Sequence, residues 1–286
     1  MTARIIDGKA IAAEVRSEVA EQAKELAARG LIPGLATVLV GDDPASHVYV
    51  RAKRRACEQV GIKSWDHDLP ASLSQDELLA LIDKLNADDS VHGILVQVPL
   101  PGHIDEQLVL DAIDPSKDAD GFHPYNFGRV LAGAPIVGPA TPTGIQDMLV
   151  RSGIETTGAE VVIVGRSNLV GKPMAALLMQ KGPGANATVT VCHTATRDLV
   201  SHTRRADILI AALGRAHSIT SEMVKEGAVV IDVGVNRTDD GLVGDVDFEA
   251  VSEVASAITP VPGGVGPMTI ATLLRNVVAL ARRSAS

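Results

Sequence analysis

Short apolar runs alternate with longer stretches of helical period along nearly the whole chain, and this alternation constrains the fold more than any other feature. A strand followed by a helix must cross back before the next strand can pair with it. Repetition of that unit implies a largely parallel sheet with helices covering it. In the first part, GLATVLVG (34–41), Ile62–Leu69 and GILVQVPLP (93–101) read as strands. Asp7 can cap a helix that runs to about Arg29 and stops at Gly30. Asp43-Pro44 opens another that ends at Gly61, and Ser74–Asp88 forms a third. In the second part, strands are expected at 160–165, 188–193, 207–211, 229–233 and 256–259, after a helix over Thr143–Ser152. The chain closes with a helix over Met268–Arg283. Its face of Ile270, Leu273, Leu274, Val277, Val278, Leu280 and Ala281 must dock on another surface.

Between the two series, Asp114 to Pro142 is dense in Pro, Gly, Asp and Asn and lacks a clear period. A long irregular stretch of this kind marks a linker or a functional loop. With 286 residues, the chain has the length of two ordinary α/β domains. The expected fold class is therefore α/β in two lobes joined by a loop-rich junction, with a cleft between them and ligands beyond the carboxyl ends of the strands.

Composition narrows the function. Aromatic residues make up only 2% of the chain, so the cores are built from Val, Ile, Leu and Ala, and base stacking has little to work with. The net charge of −9 argues against a nucleic-acid partner. Cys57 and Cys192 stand far apart; one disulfide is formally possible, but no disulfide framework or Cys-based zinc site is visible. No run spans a bilayer, and the start MTARIIDGKAIAAEV has no long apolar segment. A soluble, cytoplasmic protein without a membrane partner is the expectation.

The stretch 161-VVIVGRSNLVGKPMAALLM-179 carries the first chemical signal. Five residues separate Gly165 from Gly171, and Pro173 follows Lys172, so the Walker loop does not fit; the middle glycine of G-x-G-x-x-G is also absent. What remains is a buried strand, a glycine turn and a helix N-terminus whose free N–H groups suit an anion. The tip of the next strand is Cys192-His193-Thr194, with no acid before Asp198 to hold a ribose 2′-hydroxyl or repel a 2′-phosphate. Arg166 and Ser167, directly after Gly165, offer a guanidinium and a hydroxyl to such a phosphate, with His193 at the neighbouring tip. The cofactor so implied is NADP rather than NAD. The alternative is an ordinary strand-to-helix turn with a solvated arginine. Gly214, Asp232 and Gly234 end two later strands and could line the nicotinamide half, although strand-end Asp and Gly are also common turn residues.

The second signal is a lysine. At about 100° per residue, Ala45, Val48, Tyr49, Ala52, Ala56 and Val60 share one face of the helix from Pro44, while Arg51, Arg54, Arg55 and Glu58 gather opposite. Lys53 falls on the flank of the apolar stripe, one turn after Tyr49. Either its stem covers the core or its amine has work to do. Gln97 lies inside the apolar run ILVQVPLP and needs partners if buried. KDADGFHP (117–124) sets Asp118 and Asp120 on the junction; one carboxylate could cap the turn while the other faces a ligand, and the pattern does not say which. In PVPGGVGPMT (260–269), glycines beside a helix start let a flat ligand lie on main chain, or simply stiffen a connector.

Taken in order, VGDDPASHVYVRAKRRACEQVGI, GILVQVPLP, KDADGFHPYNFGR, VVIVGRSNLVGKPMAALL and PVPGGVGPMTIATLL resemble the bifunctional methylenetetrahydrofolate dehydrogenase/methenyltetrahydrofolate cyclohydrolase (FolD) family over essentially the whole chain. One departure is Ala140-Thr141-Pro142, where the family often has Cys-Thr-Pro. The resemblance implies a folate-binding lobe of residues 1–140 plus 268–286 and a Rossmann-like NADP-binding lobe of residues 141–267. It implies catalytic roles for Lys53, Tyr49, Gln97 and Asp120, with Asp120 also binding the pterin. It places the 2′-phosphate of NADP at Arg166 and Ser167. With the residue readings above, tetrahydrofolate derivatives are expected near Tyr49, Asp120, Pro262 and Gly263, and NADP near Gly165, Arg166, Ser167, His193, Gly214, Asp232 and Gly234. The resemblance further implies a homodimer and no metal. Three alternatives stay open on sequence: a monofunctional NADP-dependent dehydrogenase of the same fold, a shikimate-dehydrogenase-like reductase, and a nucleotide-sensing protein without turnover.

Overall fold

The structure is a computed structural model that describes residues 2–239 and 241–285; the side chain of Ala45, counted above on the apolar face, lies outside the described residues. Two compact units are present. The first comprises Ala13–Ala140 and Ile270–Ser286, the second Met1–Ala12 and Thr141–Thr269.

In the first unit, three parallel strands pair in the order Lys63–Leu69, Gly34–Val40, Gly93–Val96. The middle strand is buried at every position, which explains its unbroken apolar sequence. The helix Pro44–Val60 starts where the Asp43 carboxylate accepts the Ser46 N–H at 2.8 Å and stops at Gly61, left-handed at φ 77°. Helix Gln75–Ala87 opens with a reciprocal Ser74–Glu77 capping box. The strand expected over 93–101 ends at Val96. Gln97 N–H still donates to Val38 O at 2.8 Å, but Pro99 and Pro101 bring no donors to extend the ladder. Gln97 thus stands at the carboxyl end of the strand.

The junction is more ordered than its composition suggests. It contains a helix, Pro124–Leu131, capped by His123 Nδ1, which accepts the Tyr125 N–H at 3.0 Å. Only Asn126 and Val130 of this helix are buried, so no apolar period announced it. The closing helix runs Val265–Ser284, and Leu273, Leu274, Val277, Val278, Leu280 and Ala281 are all buried. Its docking surface is within the first unit: Val277 lies against Gly93, and Asn276 Nδ2 donates to Ala119 O and Gly138 O, each at 2.9 Å.

The second unit is built on six parallel strands in the order Arg4–Ile5, Ala257–Ile258, Val229–Asp232, Ile208–Ala211, Glu160–Val164, Thr188–Cys192. Val162, Val164, Leu209, Ala211, Val230 and Ile258 supply much of the core on one face. The chain's first residues differ from expectation. The resemblance places them in the lobe of residues 1–140, but Arg4–Ile5 adds an edge strand here, with Ile6 N–H donating to Ile258 O at 2.8 Å. A two-residue strand has no period to read. An antiparallel pair, Asn236–Thr238 with Gly241–Val243, was also unforeseen. Cys57 and Cys192 are buried and free. Among the described residues, no helix is long and apolar enough to cross a membrane, and no His, Cys, Asp or Glu cluster could hold a metal ion.

Candidate active site

The lysine helix packs on a different stripe from the one expected. Val48 and Tyr49 are exposed and Ala52 is half-buried, whereas Ser46, Val50, Lys53, Ala56, Cys57 and Val60 are buried. Apolarity alone misplaced the stripe because two of its buried members are polar. Ser46 is satisfied by the Asp43 carboxylate, to which its hydroxyl donates at 2.7 Å. Lys53, only 7% exposed, sits in the middle of the stripe, not on its flank. Its Nζ donates to Gln97 Oε1 at 3.1 Å, and Gln97 Nε2 donates onward to Val98 O at 2.8 Å. The amide is thereby oriented with its oxygen toward the amine.

Burial holds the Lys53 pKa below the ordinary lysine value, against the opposing pull of the Asp120 carboxylate. The Cys57 thiol, one turn further along, is pushed up to about 12, chiefly by burial and then by Asp66, and so stays neutral. Asp120 keeps part of its residue surface, yet its carboxyl group is enclosed enough that burial raises its pKa. The Lys53 charge opposes that rise and Asp118 adds to it.

The structure decides between the two junction acids. Asp118 Oδ1 accepts the Gly121 and Phe122 N–H groups at 3.0 and 3.2 Å. Its Oδ2 accepts the His123 N–H and Asn126 Nδ2, each at 2.9 Å. Asp118 is therefore the turn cap. The Asp120 carboxylate has no hydrogen-bond donor among the described residues, while its main-chain carbonyl is fixed by the Ala140 N–H at 3.0 Å. Lys53, Gln97 and Asp120 form one cluster, with Tyr49 a turn before Lys53 on the exposed side. Its chemistry is that of a buried amine biased toward neutrality, an amide that orients it, and a carboxylate free to accept.

In the second unit, the strands Glu160–Val164 and Ile208–Ala211 lie side by side, and the strand order reverses there, as at the nucleotide crevice of doubly wound sheets. Gly165 follows the first of them at φ 133°, and a side chain there would collide with Ala212 O. A side chain at Gly171 would collide with Gly165 O, so the helix Gly171–Leu178 starts pressed onto the turn. No side chain caps that helix and no acid lies in its first turn. Arg166 and Ser167 are exposed, and the Gly165 N–H donates to Cys192 O at 2.9 Å, which sets them beside the His193 tip. The His193 ring is engaged locally, its Nδ1 accepting the Ala195 N–H at 3.2 Å. This arrangement fits a phosphorylated dinucleotide: a glycine cradle, a helix start without a side-chain cap, an exposed guanidinium, an exposed hydroxyl whose oxygen accepts the Val170 N–H at 3.1 Å and whose proton can still be donated, and no acid at the strand tip.

Pro262 and Gly263 also fall in the second unit, Gly263 at φ 112° against the Lys9 side chain, while Lys53, Gln97 and Asp120 belong to the first.

The sequence matches the family model described as Tetrahydrofolate dehydrogenase/cyclohydrolase, catalytic domain, over residues 6–120, and that of the NAD(P)-binding domain of the same name over residues 139–285. The chain belongs to the tetrahydrofolate dehydrogenase/cyclohydrolase family. It is 59% identical over 284 residues to the Bifunctional protein FolD of Magnetococcus marinus, covering 99% of this chain and 98% of that one. The crystal structure of the bifunctional enzyme FolD from Campylobacter jejuni superposes with a TM-score of 0.94 at 50% identity, over 98% and 99% of the two chains. The Trypanosoma brucei FolD, solved with NADP cofactor and inhibitor, gives 0.93 at 38% identity, over 100% and 99%.

Within this tetrahydrofolate dehydrogenase/cyclohydrolase, the Asp232 side chain is taken up by the fold itself. Asp232 does not face outward at its strand end. It is 3% exposed, and its carboxylate accepts the Gly234, Asp245 and Val246 N–H groups at 3.0, 3.0 and 2.9 Å. A carboxylate buried this deeply must collect donors, and here the following loop provides them. Burial still raises its pKa to about 6. A side chain at Gly234 would strike the Asp245 carboxyl. Asp245 itself went unnoticed. GDVD reads as turn sequence, and only the fold shows that residue fully buried.

Proposed function

We propose that this chain oxidises 5,10-methylenetetrahydrofolate with NADP⁺ and hydrolyses the resulting 5,10-methenyltetrahydrofolate to 10-formyltetrahydrofolate. Full-length identity to bifunctional FolD proteins favours both activities over a dehydrogenase alone. The observation that carries the second activity is the Lys53–Gln97 hydrogen bond beside Asp120 in a buried setting.

NADP⁺, when bound, supplies the acceptor for a hydride from the methylene carbon. The folate nitrogens stabilise the cation that remains, so the protein's task in this step is alignment. Arg166 and Ser167 would hold the 2′-phosphate, and the Gly165 turn with the start of helix Gly171–Leu178 would take a phosphate of the dinucleotide. Asp120 would accept N–H groups of the pterin, and Tyr49 would shape its binding. In the hydrolysis, water adds to the methenyl carbon and loses a proton; the bond from that carbon to N5 then opens as the new hydroxyl gives up its proton to become the formyl carbonyl and N5 takes one up, so one proton is released overall. Lys53 in its neutral form accepts the proton lost by the water, and desolvation is what makes the neutral form accessible. Gln97 keeps the amine aimed. The finer points of setting, a homodimer in the cytoplasm, are proposed from the family resemblance and are testable by sedimentation and fractionation.

Two assays test the proposal: absorbance change with methylenetetrahydrofolate and NADP⁺, and separate hydrolysis of methenyltetrahydrofolate. Activity in both is expected. Oxidation without enzyme-dependent hydrolysis would reduce the protein to a dehydrogenase.

A further inference from the structure

The loop after strand Ile208–Ala211 is held in an unusual way. Three successive N–H groups curl around one carboxylate: Leu213 and Gly214 donate to Asp245 Oδ2 at 2.6 and 2.9 Å, and Arg215 donates to Asp245 Oδ1 at 2.8 Å. Asn236 Nδ2 adds a fourth donor to Oδ1 at 2.9 Å. Successive amides arranged like this make an anion-binding nest, and here the protein fills the nest itself. The filling residue is in turn anchored, since the Asp245 N–H donates to Asp232 Oδ1 and the Asp232 N–H donates to Thr259 Oγ1 at 2.7 Å. The clamped segment is continuous with Ala212, whose carbonyl lies where a side chain at Gly165 would go. One buried carboxylate therefore fixes one wall of the strand-reversal crevice, and the other wall is the Gly165 turn.

We infer that Asp245 is a positioning residue for the dinucleotide site: it does not touch the cofactor but sets the Leu213–Arg215 loop against which the cofactor binds. The inference rests on the NADP assignment of the second unit made above. Two routes loosen the loop independently. Asp245→Asn preserves shape but turns an acceptor into a donor facing N–H groups. Gly214→Ala leaves the carboxylate alone and imposes a side chain at φ 67°, where no neighbouring atom of the chain stands in the way, so in the free protein only the loop's conformation is strained and its effect on NADP⁺ supports the loop's role together with that of Asp245→Asn.

The test measures the NADP⁺ Kd by calorimetry, the NADP⁺ KM and kcat of oxidation, and cofactor-free hydrolysis of methenyltetrahydrofolate. The expected result is a rise in NADP⁺ Kd and KM of about tenfold for Asp245→Asn, consistent with loss of buried hydrogen bonds. A rise of roughly threefold to tenfold is expected for Gly214→Ala. In both variants kcat at saturating NADP⁺ should fall less than KM rises, and methenyl hydrolysis should stay at the wild-type rate. A general loss of folding would instead lower hydrolysis and oxidation together, and that result in Asp245→Asn leaves Gly214→Ala to decide. If wild-type protein binds NADP⁺ and Gly214→Ala binds it equally well, the positioning role is wrong. If wild-type protein fails to bind NADP⁺ at all, the functional proposal itself is overturned.

Discussion

Each unit encloses the carboxylates of a pair of aspartates, and one of the four is treated differently from the rest. In the second unit, Asp232 accepts three main-chain N–H groups, and Asp245 accepts three more together with the Asn236 amide. Both charges are saturated by the chain itself. In the first unit, Asp118 is saturated in the same manner by four donors, but Asp120, two residues on, has none among the described residues. Its electrostatic neighbour is Lys53, whose own single hydrogen bond runs to Gln97. A buried charge surrounded by donors is architecture, because removing it orphans every donor at once. A buried charge left short of partners is an unmet demand, which a bound substrate can satisfy.

The comparison can be broken most forcefully at Lys53. Lys53→Met keeps the apolar stem and deletes the amine. Methenyl hydrolysis should fall by about 10²- to 10⁴-fold, the usual range for a general base, with NADP⁺ binding unchanged by calorimetry. The next largest effect separates the neighbouring acids. Asp118→Ala should destabilise the protein by roughly 2–4 kcal/mol in urea unfolding, since four donors lose their acceptor. Asp120→Ala should cost little stability or none, because the carboxylate it removes is held at a raised pKa by burial. Equal destabilisation by both would erase the distinction. Smaller still, Arg166→Ala should weaken NADP⁺ by about tenfold and leave NAD⁺ nearly unaffected, as loss of a charge-assisted contact to the 2′-phosphate requires. The smallest effect sharpens the electrostatics. The Asp120 carboxylate raises the Lys53 pKa, so Asp120→Asn should move the pH midpoint of hydrolysis, measured at saturating substrate, to lower pH.

Much of this was legible in the sequence, and the gaps have physical causes. The β-branched runs announced the central strands of both sheets, since strands buried on both faces must be apolar throughout. Asp43-Pro44, Gly61 and the Ser74–Glu77 pair marked helix ends because capping chemistry is local. Arg4–Ile5 and the helix Pro124–Leu131 were invisible, being held by partners distant in sequence or by too few buried side chains to make a period. The stripe containing Lys53 was misplaced because hydrophobicity cannot reveal that a serine and a lysine are buried with their partners. Asp118 and Asp120 were indistinguishable until the turn closed around one of them. Asp232 looked like a strand-end ligand and Asp245 like a turn residue, and only the fold brings the loop donors to both.

The central claim is that desolvation lowers the Lys53 pKa and so makes its neutral form accessible as a base. Its most direct measurement is the pH dependence of enzyme-catalysed methenyltetrahydrofolate hydrolysis, corrected for the uncatalysed rate and compared with Lys53→Met. Because a lowered pKa makes the neutral amine appear at lower pH, the wild-type rate should rise with pH through a midpoint below the ordinary lysine value of 10.5, and the variant should lose that rise. A wild-type profile that is flat, or one that Lys53→Met leaves intact, would contradict the account.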